Sequence, residues 1–160
     1  MIERTQRRLR QARFFYEHLL DPPRNTTIPS EAFLFYCGAF IQAARSVTWT
    51  LKHEETEKWK AWEPKWRDAL TEEDKKLLDN ANELRIDETH RSGTNLWVEL
   101  KQEALDIVHL DSRTTQATLR LNISYYFDEE QKREATAFCR RYLEFLEKLV
   151  NDFCADNEVE

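Results

Sequence analysis

Phe33, Cys37, Phe40, Ala44, Val47 and Leu51 recur at steps of three and four through a stretch that holds one glycine, Gly38, and no proline. That spacing gathers all six side chains on one stripe of an α-helix, whereas a strand would scatter them over both of its faces. Leu34, Ile41 and Thr48 widen the stripe. A helix this apolar, spanning about Ser30 to Lys52, is expected to be the most buried element of its domain, with the others packed around it. Ser30, following Pro29, is a good N-cap, since its hydroxyl can accept from a free amide of the first turn. Gly38, Gln42, Arg45 and Trp49 fall on a different flank, where the small Gly38 permits close approach of another helix or chain. Arg45 either faces a functional groove or pairs with a carboxylate of a neighbouring helix, which is the commoner arrangement.

Composition points the same way. Two glycines and four prolines in 160 residues, with 41% hydrophobic and 34% charged, favour long helices with charged outer faces over an all-β fold that needs many turns. The length suits a single domain over residues 1–160. A net charge of -6 argues against a broad basic surface for duplex DNA, because sequence-independent affinity comes from Lys and Arg neutralising phosphates. A local basic site stays open. Cys37, Cys139 and Cys154 are far apart, lack metal-ligand spacing and are odd in number, which fits reduced thiols and a cytoplasmic location. No apolar run approaches the ~20 residues of a membrane helix, and no signal-peptide core follows Met1-Ile2-Glu3-Arg4, so no membrane association is expected.

The other elements follow from their periods. Leu9, Ala12, Tyr16, Leu19 and Leu20 mark a helix from about Glu3 to Leu20, stopped by Asp21-Pro22-Pro23. Its outer face carries Arg4, Arg7, Arg8, Arg10 and Arg13, a solvated face that pairs with acidic neighbours or, less commonly, touches nucleic-acid phosphates. Trp59, Trp62 and Trp66 form one sticky face between about Glu54 and Leu70, expected in the core, with Pro64 placed to open a short helix at its first turn. Thr71, followed by Glu72, Glu73 and Asp74, caps a helix whose stripe is Leu77, Leu78, Ala81 and Leu84. Arg85, four residues after Ala81, projects from the buried flank of that helix, and Gly93 offers a point for the chain to turn away. Alternation from Ala117 to Phe127 predicts a strand with an antiparallel partner over Asp106 to Leu110, turning near Asp111-Ser112-Arg113; Leu96, Val98 and Leu100 can add a third strand. Asp128, with Gln131 three residues on, is expected to cap a last helix with the stripe Ala135, Phe138, Tyr142, Phe145, Leu149 and Phe153. The acidic tail from Ala155 to Glu160 should fray. The predicted architecture is mainly α: an antiparallel helical bundle with a hairpin or three-stranded sheet, at about 96–127, inserted before the last helix.

Several chemistries drop out. There is no glycine-rich phosphate loop, no Gly-flanked nucleophilic serine and no paired Cys/His zinc pattern. A di-iron bundle needs carboxylate-x-x-His motifs on two helices plus further glutamates, and Asp87-x-x-His90 is the single clear approximation. Neither a metal nor a cofactor is expected. His18, His53 and His109 have no comparable neighbours and read as structural or surface residues.

The apolar helix Phe33-Leu34-Phe35-Tyr36-Cys37-Gly38-Ala39-Phe40-Ile41-Gln42-Ala43-Ala44-Arg45-Ser46-Val47, followed by a helix that ends on Arg85 and His90, resembles HEPN domains. These are all-helical, nucleic-acid-associated modules in which an arginine and a histidine four to six residues apart form the centre of metal-independent endoribonucleases. The resemblance covers roughly Ser30 to Gly93. It implies a HEPN-like antiparallel bundle, RNA as substrate, a toxin or defence role with an antitoxin or other protein partner, and a homodimer that brings two Arg/His pairs into one cleft. His90 would be the acid or base, since histidine titrates near neutrality, and Arg85 would hold the scissile phosphate as charge builds on it. Arg45, Glu88 and Arg91 are candidate supporting or substrate-binding residues. Ile86 stands where active members commonly carry a polar residue, often asparagine. The competing reading is a non-catalytic helical interaction module in which Arg85 pairs with a carboxylate such as Asp87 or Glu88 and His90 caps helix carbonyls.

Overall fold

The computed structural model describes residues 2–20, 31–90, 96–109, 115–127 and 133–158, with the backbone alone over 87–90, 102–109 and 115–122. Its elements are α1 (Glu3–Leu20), α2 (Glu31–Glu54), α3 (Thr56–Asp68), α4 (Glu72–His90), β1 (Trp97–His109), β2 (Thr115–Tyr126) and α5 (Ala135–Asn157). The protein is a helical bundle with one small antiparallel sheet.

The predicted stripe of α2 is buried from end to end: Phe33, Cys37, Phe40, Ile41, Ala44, Val47 and Leu51 lie in the core with Ala12 and Leu19 of α1 and Phe138, Leu146, Leu149 and Phe153 of α5. Ring contacts and ion pairs set the helix directions. Tyr16 lies 6.3 Å from Phe40, while the start of α1 meets Glu54 at the end of α2, so the two run antiparallel. Arg13 pairs with Glu147 at 2.6 Å and Tyr16 accepts from Arg140 at 2.9 Å, which sets α5 antiparallel to α1 as well. Trp59 and Trp62 of α3 are buried against Phe153, and Trp66 packs on Phe145 further back along α5. The Trp62 indole also donates to Asp156 at 2.8 Å, which satisfies the polar atom of a buried ring.

Pro64 and both ends of α5 lie elsewhere than their local sequence predicts. Pro64 lies inside α3 and does not open it. The lost hydrogen bond and ring clash of an interior proline are tolerated because tryptophans on either side anchor the helix to α5. The last helix is capped by Glu134, whose carboxylate accepts from the Thr136 and Ala137 amides, and not by Asp128. Phe127 donates to the Arg133 carbonyl at 3.0 Å and Tyr126 bridges Glu134, so Glu134 is still extended and the helix begins after it. At its far end α5 continues through Ala155 to Asn157, where fraying was expected, and closes on Glu158 in the left-handed region at φ 49°.

Thr71 caps α4 as predicted, its hydroxyl accepting from the Asp74 amide at 3.1 Å. The segment read as a separate third strand is the start of β1, which runs from Trp97 to His109 and, among the described residues, pairs with β2. A bulge between Gln102 and Ala104 leaves Glu103 without a partner in the register and shifts the pairing by one. The described side chains join the hairpin to the bundle at its base, where Tyr125 stacks on Phe33 at 3.8 Å and 9° and Phe127 meets Phe138 edge to face. Ser30, the proline stop after α1, the hairpin turn, Asp128 and Gln131 themselves, and Gly93 fall outside the described residues.

Candidate functional site

Arg85 sits on α4 one turn after the buried Ala81 and is half-buried. Its Nε is buried and has no hydrogen-bond partner among the described residues. A buried N–H donor left without an acceptor costs stability even where the rest of the side chain is only half-buried. His90 closes α4, and Glu88 lies on its last turn. The side chains of both are outside the described residues, and so is Arg91 altogether. On a regular helix five residues advance about 7.5 Å and turn about 140° around the axis. Ile86, between Arg85 and His90, is half-buried.

Arg45 lines a cleft of about 390 Å3 among α2, α3, α4 and α5. On α2 it shares the cleft with Trp49 and Lys52, an i, i+4, i+7 flank turned away from the core stripe. Its Nη1 donates to the Thr48 hydroxyl at 2.9 Å. No ion pair to Arg45 or Lys52 forms among the described residues, so the commoner salt-bridge reading of Arg45 does not hold there. Across the cleft Trp66 stacks on Trp62 at 5.2 Å, and Arg67 is held by Glu63 at 2.8 Å. Asp79 and Asn82 of α4 face in from the helix that carries Arg85, which is not itself a lining residue.

Tyr142 forms part of the cleft wall and is 2% exposed. Burial pushes its phenol up to about 12, against the opposing pull of the Arg45 charge. The hydroxyl is thus a neutral donor and acceptor at physiological pH. Together these groups offer cations, a neutral hydroxyl and indole walls, a set suited to holding an anionic, ring-bearing ligand. Among the described residues no group of three or more His, Cys, Asp or Glu side chains is placed to hold a metal ion.

A second surface borders the first. Trp49 belongs both to the cleft and to a broad groove lined by Arg4, Arg7, Arg8 and Arg10 of α1 with His53 and Glu54 of α2. Glu54 is spoken for: it accepts from the Arg4 amide at 2.8 Å, the Thr5 amide at 2.8 Å and the Thr5 hydroxyl at 2.6 Å, closing the N-terminus of α1 from another helix. Burial alone would raise its carboxyl, but the Thr5 hydroxyl, the two amides and the Arg4 charge outweigh that and hold it below the ordinary range.

Sequence reasoning found Arg45 and Trp49 on one flank but missed Lys52, the next position at helical spacing. It also missed Asp79 and Asn82, which precede Arg85 at three-residue steps, and read Tyr142 only as core. No helix among the described residues is long and apolar enough to cross a membrane. Comparison of the chain with family models, with curated proteins and with solved structures finds no match.

Proposed function

We propose that the protein is a HEPN-like RNA-binding protein of toxin or defence type that cleaves single-stranded RNA without a metal ion, acting as a homodimer in which two Arg85/His90 pairs share one cleft. The observation that carries this reading is the Arg85 guanidinium, half-buried on α4 with its Nε unpartnered among the described residues and five positions from a histidine at the helix end. A buried donor left without a partner costs stability, and a native structure that keeps one calls for an explanation such as a functional role. In the proposed reaction one His90 takes the proton of a ribose 2'-hydroxyl, whose oxygen attacks the adjacent phosphorus. The bond to the 5'-oxygen breaks, the His90 of the second copy protonates that oxygen, and the products are a 2',3'-cyclic phosphate and a 5'-hydroxyl. Arg85 stabilises the charge gathering on the phosphoryl oxygens. The test is cleavage of single-stranded RNA, with and without chelator, by the intact chain and by Arg85→Ala and His90→Ala. Chelator-resistant cleavage lost in both variants is expected; an inactive intact chain, or variants as active as it, sinks the proposal.

The alternative is a non-catalytic helical module that docks another protein. Phe35, 71% exposed, and Trp97, 54% exposed, favour it, because large apolar side chains in water suit an interface. A folded monomer that leaves RNA intact while Phe35→Ser or Trp97→Ser abolishes capture of a defined partner would decide for this reading.

A further inference from the structure

Four arginines of α1 and one exposed indole of α2 face a common groove, although the chain as a whole is acidic. Arg7 and Arg10 make no ion pair among the described residues, and Arg8 donates to the neutral Gln11 at 2.9 Å. Arg13, on the same helix, is already paired with Glu147 and does not line the groove. The one carboxylate in the groove, Glu54, is spent on the positive end of α1. The groove therefore presents cations whose charge is not cancelled locally. Trp49 stands at its rim with 61% of its surface exposed, and His53 packs on it at 4.0 Å and 32°, holding the ring in place. The His53 Nδ1 lies 2.8 Å from the Trp49 carbonyl, a second tie between the two residues. An indole kept in water in a fixed pose, with uncancelled arginines beside it, is poorly explained by packing.

We infer that this groove is a track for single-stranded nucleic acid, with Arg7 and Arg8 on the phosphates and Trp49 as the platform for one unstacked base. Alternating cations and aromatic faces are what a flexible strand needs, since phosphates repeat along it and every base has a stackable face. An acidic peptide would use the arginines and leave Trp49 idle. Beyond Trp49 the surface continues into the cleft with Lys52 and Arg45, so a strand leaving the platform meets further cations on the same helix. The inference rests on the proposed RNA reading for the biological strand, while the groove itself is tested by binding alone.

The experiment titrates the full chain into fluorescein-labelled oligouridylate and oligothymidylate of about 15 nucleotides, within the range of single-strand site sizes, and reads anisotropy. Trp49→Ala is expected to weaken binding roughly 5- to 100-fold, and Trp49→Phe to restore most of it. Arg7→Glu with Arg8→Glu should make the slope of log affinity against log salt shallower by about 1.4, the value for two phosphate contacts on a single strand. All these residues are exposed, and an unchanged melting curve for each variant verifies folding. The inference is overturned if the intact chain binds neither strand, if it binds with variants within about twofold of it, or if polyglutamate competes equally with and without Trp49. Arg85→Ala and His90→Ala separate the two proposals. Groove-dependent binding without cleavage leaves the track and removes the nuclease; cleavage indifferent to Trp49, Arg7 and Arg8 does the reverse.

Discussion

Arg85 holds its place in α4 at an energetic cost. Its Nε is buried without a hydrogen-bond partner among the described residues, and an orphaned donor of this kind costs about 1–3 kcal/mol. Exchanging such a group for an apolar one of similar reach is commonly neutral or stabilising. Arg85→Met is therefore expected to leave the thermal midpoint unchanged or to raise it by up to about 2–4 °C per kcal/mol gained, and, on the proposed nuclease reading, to abolish RNA cleavage. A fall in the midpoint with cleavage intact would assign Arg85 to structure. The sequence showed its inward flank because Ala81 precedes it by one turn. It could not show that Nε finds no partner among the described residues, since partners across a bundle have no local signature.

At the scale of elements, the joint between α1 and α2 depends on a cap supplied from 49 to 50 positions away. Glu54→Ala should cost about 1 kcal/mol near neutral pH, the usual worth of an N-cap. The pH sign follows from the direction of the shift. The Glu54 carboxyl is held below its ordinary value when folded, so its contribution is fully present above the unfolded carboxylate pKa of about 4.3. It is lost as pH falls through the lowered folded value. Urea midpoints of the two chains should thus differ near neutrality and converge as pH drops toward about 2. A constant difference would mean that Glu54 acts through packing and not through charge. Thr71, by contrast, caps α4 from the adjoining position, which is why that helix start was legible and the α1 contact was not. Glu134 was missed for a related reason: an extended bridge to Tyr126 delays the helix beyond Asp128, and that bridge belongs to the hairpin.

For the whole molecule, the buried bundle predicts chemistry at the three thiols. Cys37 and Cys139 are fully buried in α2 and α5, and Cys154 is half-buried. Burial raises the Cys139 thiol, with Cys37 adding to the effect, and burial also raises Cys154 more mildly. Reactivity follows thiolate content and access, so a thiol reagent should label Cys154 slowly in the native protein and the other two only after global unfolding. Rapid labelling of Cys37 or Cys139 would mean that α2 and α5 open locally. The candidate site is likewise a property of the assembly: the cleft draws walls from four helices, and the groove from α1 and α2.

What the sequence determined by itself was the kind of each element and the face it buries. The stripes of α2 and α5, the Thr71 cap and the alternation into Tyr125 and Phe127 are written within a few neighbouring residues, where helix and strand periods act directly. The tertiary structure alone decided which flanks meet. It turned Arg45, Lys52 and Trp49 toward Asp79, Asn82 and Tyr142, brought Glu54 to the start of α1, and kept Pro64 inside α3 between anchored tryptophans. Those outcomes depend on side chains far apart in the chain whose encounter is set by packing the whole core, and no local period records them.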